Sequence, residues 1–227
     1  MNNDLLPFLE KAKACYELKE LERLGLTPDM DQRELILTFT CLILKWNESV
    51  GIIAKADEDN LFLRHFCDSL QPLLLFGFKK NAVVLDIGAG GGFPSIPIRI
   101  FRPDLTFVLA ESSRKKTSFL KDVIGELKFE NISIYNGKVE SMDIPEKKFD
   151  YVLSRGVGSL QKFSQLAKPL LSDDGHMYTF KTKQFVSELE SITTNKDKEG
   201  VRISEIAEYD LGNQITGLNL VSLELMK

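Results

Sequence analysis

Two acids and a run of glycines are the residues of this chain best suited, by type and spacing, to hold a small charged ligand. Asp86-Ile87-Gly88-Ala89-Gly90-Gly91-Gly92-Phe93-Pro94 follows the β-prone run Val83 to Leu85 and precedes the apolar residues Ile96, Ile98 and Ile100. A glycine-rich turn from a strand into a helix lets backbone approach a nucleotide-like ligand closely, at the carboxyl edge of a sheet where such folds bind. A second acid, Glu111, closes the next β-prone run, Phe107 to Ala110.

Two cofactor classes use such a turn. The dinucleotide fingerprint needs its third glycine where this chain has Phe93, and a bulky ring there argues against close helix packing of that kind. S-adenosylmethionine makes different demands. An acid just before the first glycine holds its methionyl ammonium, directly or through water, and an acid ending the next strand accepts hydrogen bonds from the ribose hydroxyls. Asp86 and Glu111 occupy both positions, with Gly88 and Gly90 between them as the close-approach residues. The pair of acids is more specific than the glycines alone.

The elements that must position these residues fall into two parts. Leu5, Phe8, Leu9, Ala12, Tyr16 and Leu24 lie near one helical stripe, with Gly25 as a cap, and predict a first helix over Leu5 to Leu24. Thr27 as N-cap, Pro28 at the first helical position and Asp29 in the first turn predict a second, running to about Trp46. A third is expected to start near Asp59-Asn60, carry Leu61, Leu63, Phe66 and Leu70, and break or bend at Pro72. Residues 1–78 are thus expected to be a helical extension and 79–227 the ligand-binding domain.

From Lys79 onward, Val83 to Leu85, Phe107 to Leu109, Ile132 to Ile134 and Tyr151 to Leu153 are short strands separated by crossover-length segments. Strands alternating with helices imply a parallel sheet covered on both faces. Met177 to Phe180, Ile203 to Leu211 and Leu218 to Met226 complete it, the last two as antiparallel strands, and Lys196-Asp197-Lys198-Glu199-Gly200 reads as a solvated loop. The expected fold class is α/β, a doubly wound, mostly parallel seven-stranded sheet of the Rossmann-like type.

Composition narrows the function further. A net charge of -4 over 227 residues is unlike a protein that coats nucleic acid nonspecifically, although it leaves room for a local basic patch. The longest apolar run, Leu35 to Leu44, is far short of the ~20 residues of a spanning helix, and the N-terminus lacks the basic-then-apolar order of a signal peptide. No membrane attachment and a cytoplasmic location are expected. Cys15, Cys41 and Cys67 lie in apolar patterns without ligand spacing, which predicts buried thiols and no metal site.

Beyond the glycines, Phe93-Pro94-Ser95-Ile96-Pro97 resembles the bacterial GidB family, also called RsmG, methyltransferases of guanine N7 in 16S rRNA. The resemblance extends to Lys45-Trp46-Asn47, Arg64-His65-Phe66-Cys67-Asp68-Ser69, Arg102-Pro103, Ser113-Arg114-Lys115-Lys116 with Phe119-Leu120, Val139-Glu140, Ser154-Arg155 and Lys181. It implies a class I methyltransferase that uses S-adenosyl-L-methionine and acts on 16S rRNA or the small ribosomal subunit; separately, a monomer is expected. It also places Gly88, Phe93, Val139, Glu140 and Arg155 around the cofactor, with Val139-Glu140 bracketing the adenine and Arg155 at the pocket mouth. The chain departs from the pattern at Gly51-Ile52-Ile53 (Asn-Leu-Thr in the family), Ala89 (Thr), Ser95 (Gly), Gly156 (Ala) and Phe180 and Thr182 (Leu and Gly). It also lacks the family's Arg near Leu218-Asn219.

Guanine N7 carries an in-plane lone pair and no proton, so attack on a sulfonium methyl asks for alignment and desolvation rather than a general base. The residues set against the reacting nucleotide are then Arg155, Lys181 and His65. A bidentate Arg contact to O6 and N7 would block the attacking nitrogen, which leaves Arg155 a phosphate, O6 alone or the cofactor. Arg114, Lys115, Lys116, Lys181 and Lys183 form either a phosphate patch or solvated element ends, and His65 either reaches substrate or is structural. Trp46 is a core anchor between the extension and the sheet domain. Two rivals stand beside this reading: a methyltransferase of the same fold with another substrate, and a non-catalytic module that binds RNA or cofactor.

Overall fold

A computed structural model describes residues 2–143, 148–189, 200–212 and 215–226. Seven strands form one sheet in the order β3-β2-β1-β4-β5-β7-β6. They are β1 (Val83–Ile87), β2 (Thr106–Glu111), β3 (Ile132–Asn136), β4 (Phe149–Ser154), β5 (Leu171–Thr182), β6 (Val201–Leu211) and β7 (Ile215–Leu225). Strands β1 to β5 run parallel, and β7 pairs antiparallel with both β5 and β6. The expected doubly wound sheet with its antiparallel closing strands is therefore present. Lys196 to Glu199, expected as a loop, lie outside the described residues.

The alternation of side chains along each strand sorts the core into two layers. Val84, Phe107, Leu109, Tyr151 and Leu153 face one cluster, which also takes in α4 (Ser95–Phe101), α5 (Arg114–Glu126) and the N-terminal helices. Leu85, Ile87, Val108, Ala110 and Val152 face the other, under α6 (Leu160–Ala167). The extension is thus continuous with the sheet's core on one side.

Within the extension the sequence expectations need three corrections. The first helix is two, α1 (Leu6–Cys15) and α2 (Leu18–Arg23), because Tyr16 turns extended and sets its ring edge-on against Phe62 at 5.1 Å. The second, α3 (Met30–Asn47), is capped by Asp29 and not Thr27. Asp29 Oδ1 accepts from the Gln32 amide at 2.8 Å and Gln32 Oε1 accepts from the Asp29 amide at 3.0 Å, satisfying two orphan donors where Thr27 offers one acceptor. The third is not a regular α-helix. A 3₁₀ turn, Lys55–Asn60, leads into π-helical turns at Phe62–Cys67 and Pro72–Phe76, and Pro72 begins the second of these. Such wide turns recur at functional sites, and this one carries His65.

The joints between the N-terminal helices and the rest of the chain are specific. Trp46 donates from Nε1 to Asp122 Oδ2 at 2.7 Å and packs edge-on against Phe119, both on α5, which makes it the expected anchor. Glu58 ties α1 and α3 to the linker before the π-helical turns, accepting from Lys11 (2.6 Å), Lys55 (2.9 Å) and Asn47 (2.7 Å). Burial works against its charge, but these donors outweigh it and hold the carboxyl down to about 2. All three cysteines are buried free thiols. Among the described residues, no helix is long and apolar enough to cross a membrane, and no group of His, Cys, Asp and Glu is arranged to hold a metal.

Candidate active site

Register brings the two acids to one edge of the sheet. Asp86 pairs with Leu109 and Ile87 with Ala110, so β1 ends beside β2 and Glu111 closes the strand next door. The glycine turn folds back over this edge, with the Gly88 and Ala89 amides both donating to the Ala110 carbonyl at 2.8 and 3.1 Å. Glu111 then clamps the turn from the side. Its Oε2 accepts from the Gly90 amide at 2.9 Å and its Oε1 from the Ser113 amide at 2.7 Å. Two backbone donors fix the carboxylate's plane and leave its outer lone pairs for further donors.

Two positions in the turn admit nothing larger than glycine. A Cβ on Gly91 would meet Ile52 Cγ2 at 2.8 Å, and one on Gly92, at φ +78°, would meet Ile96 Cγ1 at 2.6 Å. The first shows the linker of the extension lying directly on the turn. The second shows the turn packed onto the start of α4.

Asp86 lies beneath this turn and is wholly buried. Its Oδ2 accepts from the Ser95 hydroxyl at 2.7 Å, whereas Oδ1 has no hydrogen-bond partner. Burial, with the negative Glu111 nearby, pushes this carboxyl up to about 7 despite the Ser95 hydroxyl. An unpaired buried carboxylate oxygen costs free energy until a proton or a cationic donor meets it.

A cavity of about 310 Å³ opens above the turn, lined by Ile52, Ile53, His65, Gly88 to Gly91, Phe93, Lys116 and Arg155. It meets a second, of about 460 Å³, at Arg155, which lines both. The second is walled by Arg64, Asp68, Phe180, Lys181, Tyr209 and Thr216 among others. A cleft of about 590 Å³ at the opposite edge of the sheet, around Asp173, His176 and Glu224, shares no lining residue with these two cavities.

Arg155 follows the last residue of β4 and is held by the extension on three sides. Its Nε pairs with Asp68 Oδ2 at 3.0 Å, one terminal nitrogen lies 3.0 Å from His65 Nδ1, and the other donates to the Arg64 carbonyl at 2.8 Å. Asp68 is in turn fixed by the Tyr209 hydroxyl at 2.6 Å. A guanidinium only donates, so His65 Nδ1 accepts and the ring is neutral with its proton on Nε2. Burial, and then the Arg155 cation, lower His65 to about 4, and its ring stacks at a tilt on Phe93 at 5.2 Å. Each terminal nitrogen of Arg155 keeps one further N–H beyond these contacts.

Of the residues singled out from sequence, His65, Gly88, Gly90, Phe93 and Arg155 line the first cavity, with Asp86 and Glu111 supporting the turn. Val139, buried, and Glu140, exposed, sit in a short turn after β3 and do not line it. Lys181 is tied down: its ammonium donates to the Gly158 carbonyl at 2.6 Å and to Glu188 Oε2 at 2.9 Å. Arg114 and Lys115 are exposed, while Lys116 reaches the cavity. Sequence reasoning overlooked Ser95 as a partner of Asp86, and Asp68 and Tyr209 as the fixtures of Arg155. Asp68 had a visible signal, an acid set among apolar helical residues.

A family model described as rRNA small subunit methyltransferase G matches residues 32–215. The chain belongs to this family, GidB. A GidB-type relative from Chromobacterium violaceum, named ribosomal RNA small subunit methyltransferase G, is 36% identical over 193 residues, covering 84% of this chain and 88% of its own. Another of the same name, from Staphylococcus aureus (strain bovine RF122 / ET3-1), is 31% identical over 182 residues, covering 79% and 76%. In fold, the chain is similar to a SAM-dependent methyltransferase from Aquifex aeolicus (TM-score 0.58, 15% identity, 76% of this chain and 96% of that one). It is also similar to M. jannaschii TYW2 in complex with AdoMet (TM-score 0.51, 19% identity, 64% and 68%). The GidB site residues present fit that nucleoside: an orphaned acid oxygen, a second acid with free lone pairs, and a turn that presents Gly88 and Gly90 to the cavity without side chains.

Proposed function

We propose that this protein transfers a methyl group from S-adenosyl-L-methionine to N7 of a guanine in 16S rRNA of the small ribosomal subunit. The observation that carries the reading is the pair Asp86 and Glu111 on adjacent strand ends, beneath a cavity that continues past Arg155 into a second one. Membership of a family described as small-subunit rRNA methyltransferases supports the choice of substrate. When bound, the cofactor supplies an electrophilic methyl on sulfur.

The chain's own residues then divide the work. Asp86 accepts from the methionyl ammonium and Glu111 from the ribose hydroxyls, while Gly88, Gly90 and Phe93 shape the floor. Val139 and Glu140 are assigned to the adenine, at the end of the neighbouring strand β3. The second cavity takes the target nucleotide, where Arg155 offers its remaining N–H groups to O6 or a phosphate and leaves N7 free. His65 keeps the guanidinium in place, and Lys181 holds the 156–159 loop beside it. Arg64 and Lys116 supply positive charge along the approach.

Attack by a neutral in-plane lone pair calls for neither general base nor metal, only alignment in a desolvated site. In folded RNA the N7 edge lies in a deep, narrow groove, so the guanine reached is unpaired or displaced from its stack. Residues 1–78 serve as the substrate-side extension and 79–227 as the cofactor domain, acting as a monomer in the cytoplasm. The test is chemical cleavage at N7-methylguanine in rRNA from cells with and without the gene. One site in the small-subunit RNA is expected to disappear, and an unchanged pattern at every position would end the proposal.

A further inference from the structure

Asp86 and Ser95 form a closed pair whose geometry says more than that an acid sits beside the turn. Both are wholly buried, and they come from opposite ends of the turn, one in β1 and one at the start of α4. The Ser95 hydroxyl donates to Asp86 Oδ2 at 2.7 Å. Oδ1, on the other side, has no partner.

We infer that Ser95 is a positioning residue for the amino-acid end of the cofactor: it holds one oxygen of Asp86 so that the other stays free for the methionyl ammonium. The inference rests on the S-adenosylmethionine reading above. A carboxylate in this place can turn about its terminal bond. Without the hydroxyl, Oδ2 loses a charge-assisted donor, the ionised form becomes harder to sustain in a dry site, and the direction of Oδ1 is no longer fixed. Asp86 already holds its charge poorly, with burial and Glu111 both pushing its carboxyl up to about 7. The ammonium and the Ser95 hydroxyl therefore act on the same carboxylate from its two sides.

Calorimetry with three ligands tests this on the full chain. S-adenosylmethionine and S-adenosylhomocysteine carry the amino-acid end, whereas 5′-methylthioadenosine keeps the nucleoside and lacks it. Ser95→Ala, and separately Ser95→Gly, are expected to weaken the first two by roughly ten- to a hundredfold, the range for a hydrogen bond to a charged group, and to leave the third unchanged. Unchanged affinity for all three would overturn the inference. So would equal loss of all three in both variants, through misfolding or otherwise, because Ser95 would then be holding the turn rather than the ammonium. Failure of the unsubstituted protein to bind any of them would strike the cofactor reading itself.

Discussion

Asp86→Asn is expected to make the ligand-free protein more stable at alkaline pH while making it a poorer binder. Burial raises the Asp86 carboxyl from 3.8 to about 7 in the folded protein. Between those values the folded state holds a proton that the unfolded chain has lost. Its stabilising contribution is therefore complete below 3.8 and gone once pH has risen through about 7. The charged form then costs roughly 4 kcal/mol at pH 8, at about 1.4 kcal/mol per pH unit. Asparagine keeps the shape and removes that cost, but adds an amide whose unmet donor takes back about 1–3 kcal/mol. The net gain of roughly 1–3 kcal/mol corresponds to a rise in Tm of about 2–12 °C for a chain of this size.

Differential scanning calorimetry at pH 8 and pH 5 reads this directly. The advantage should shrink by more than half at pH 5, where the wild-type carboxyl is already protonated in the fold. Affinity for S-adenosylhomocysteine at pH 8 should fall about tenfold or more, since a charged acceptor is lost. A variant less stable than wild type at pH 8, or one whose difference in Tm is the same at both pH values, would refute the reasoning. A stabilising change that weakens binding is the ordinary signature of a strained functional site.

Three other substitutions probe the frame around the cavities. Glu58→Gln should cost about 1–2 kcal/mol above pH 4.5, discounted because both lysine partners are open to water, with the difference fading as pH falls towards 2; urea titrations across that range check it. Gly92→Ala puts a Cβ 2.6 Å from Ile96 at a positive φ, so thermal melts should show a loss of about 2–4 kcal/mol, with weaker cofactor binding alongside. Arg155→Lys cannot reproduce the fork that meets Asp68, His65 and the Arg64 carbonyl together, and initial rates with small ribosomal subunits should fall at least about tenfold, by more than cofactor affinity does.

The strands were legible because β-branched and aromatic runs bounded by turn residues have few other uses, whereas their order and register emerge only in the folded sheet. β5 was foreseen only as Met177 to Phe180, since Ser172-Asp173-Asp174-Gly175 reads as a turn. The strand in fact begins at Leu171, and the pairing with β4 shifts between Phe149 and Tyr151 to absorb those residues. Local signals failed in the extension for a related reason. Tyr16 breaks the first helix to meet Phe62, and the choice of Asp29 over Thr27 as cap depends on a reciprocal bond from Gln32.

At the site, Asp86, Glu111 and the glycines declare themselves through spacing because one loop and one neighbouring strand position them. Ser95 and Tyr209 do not. The Tyr209 hydroxyl reaches Asp68 from a strand 141 residues further on, and nothing near either residue marks the partnership. Ile52 and Ile53 were visible only as departures from a family pattern, and the place of Ile52 over Gly91, with Ile53 beside it in the cavity wall, emerges from packing.

The most direct measurement is a crystal structure of the protein with S-adenosylhomocysteine. The ligand should lie across the glycine turn, with its ammonium nitrogen within hydrogen-bond reach of Asp86 Oδ1, or one water away, and its ribose hydroxyls on the carboxylate of Glu111. A well-ordered nucleoside elsewhere, or one over the turn whose ribose leaves Glu111 untouched, would contradict the account.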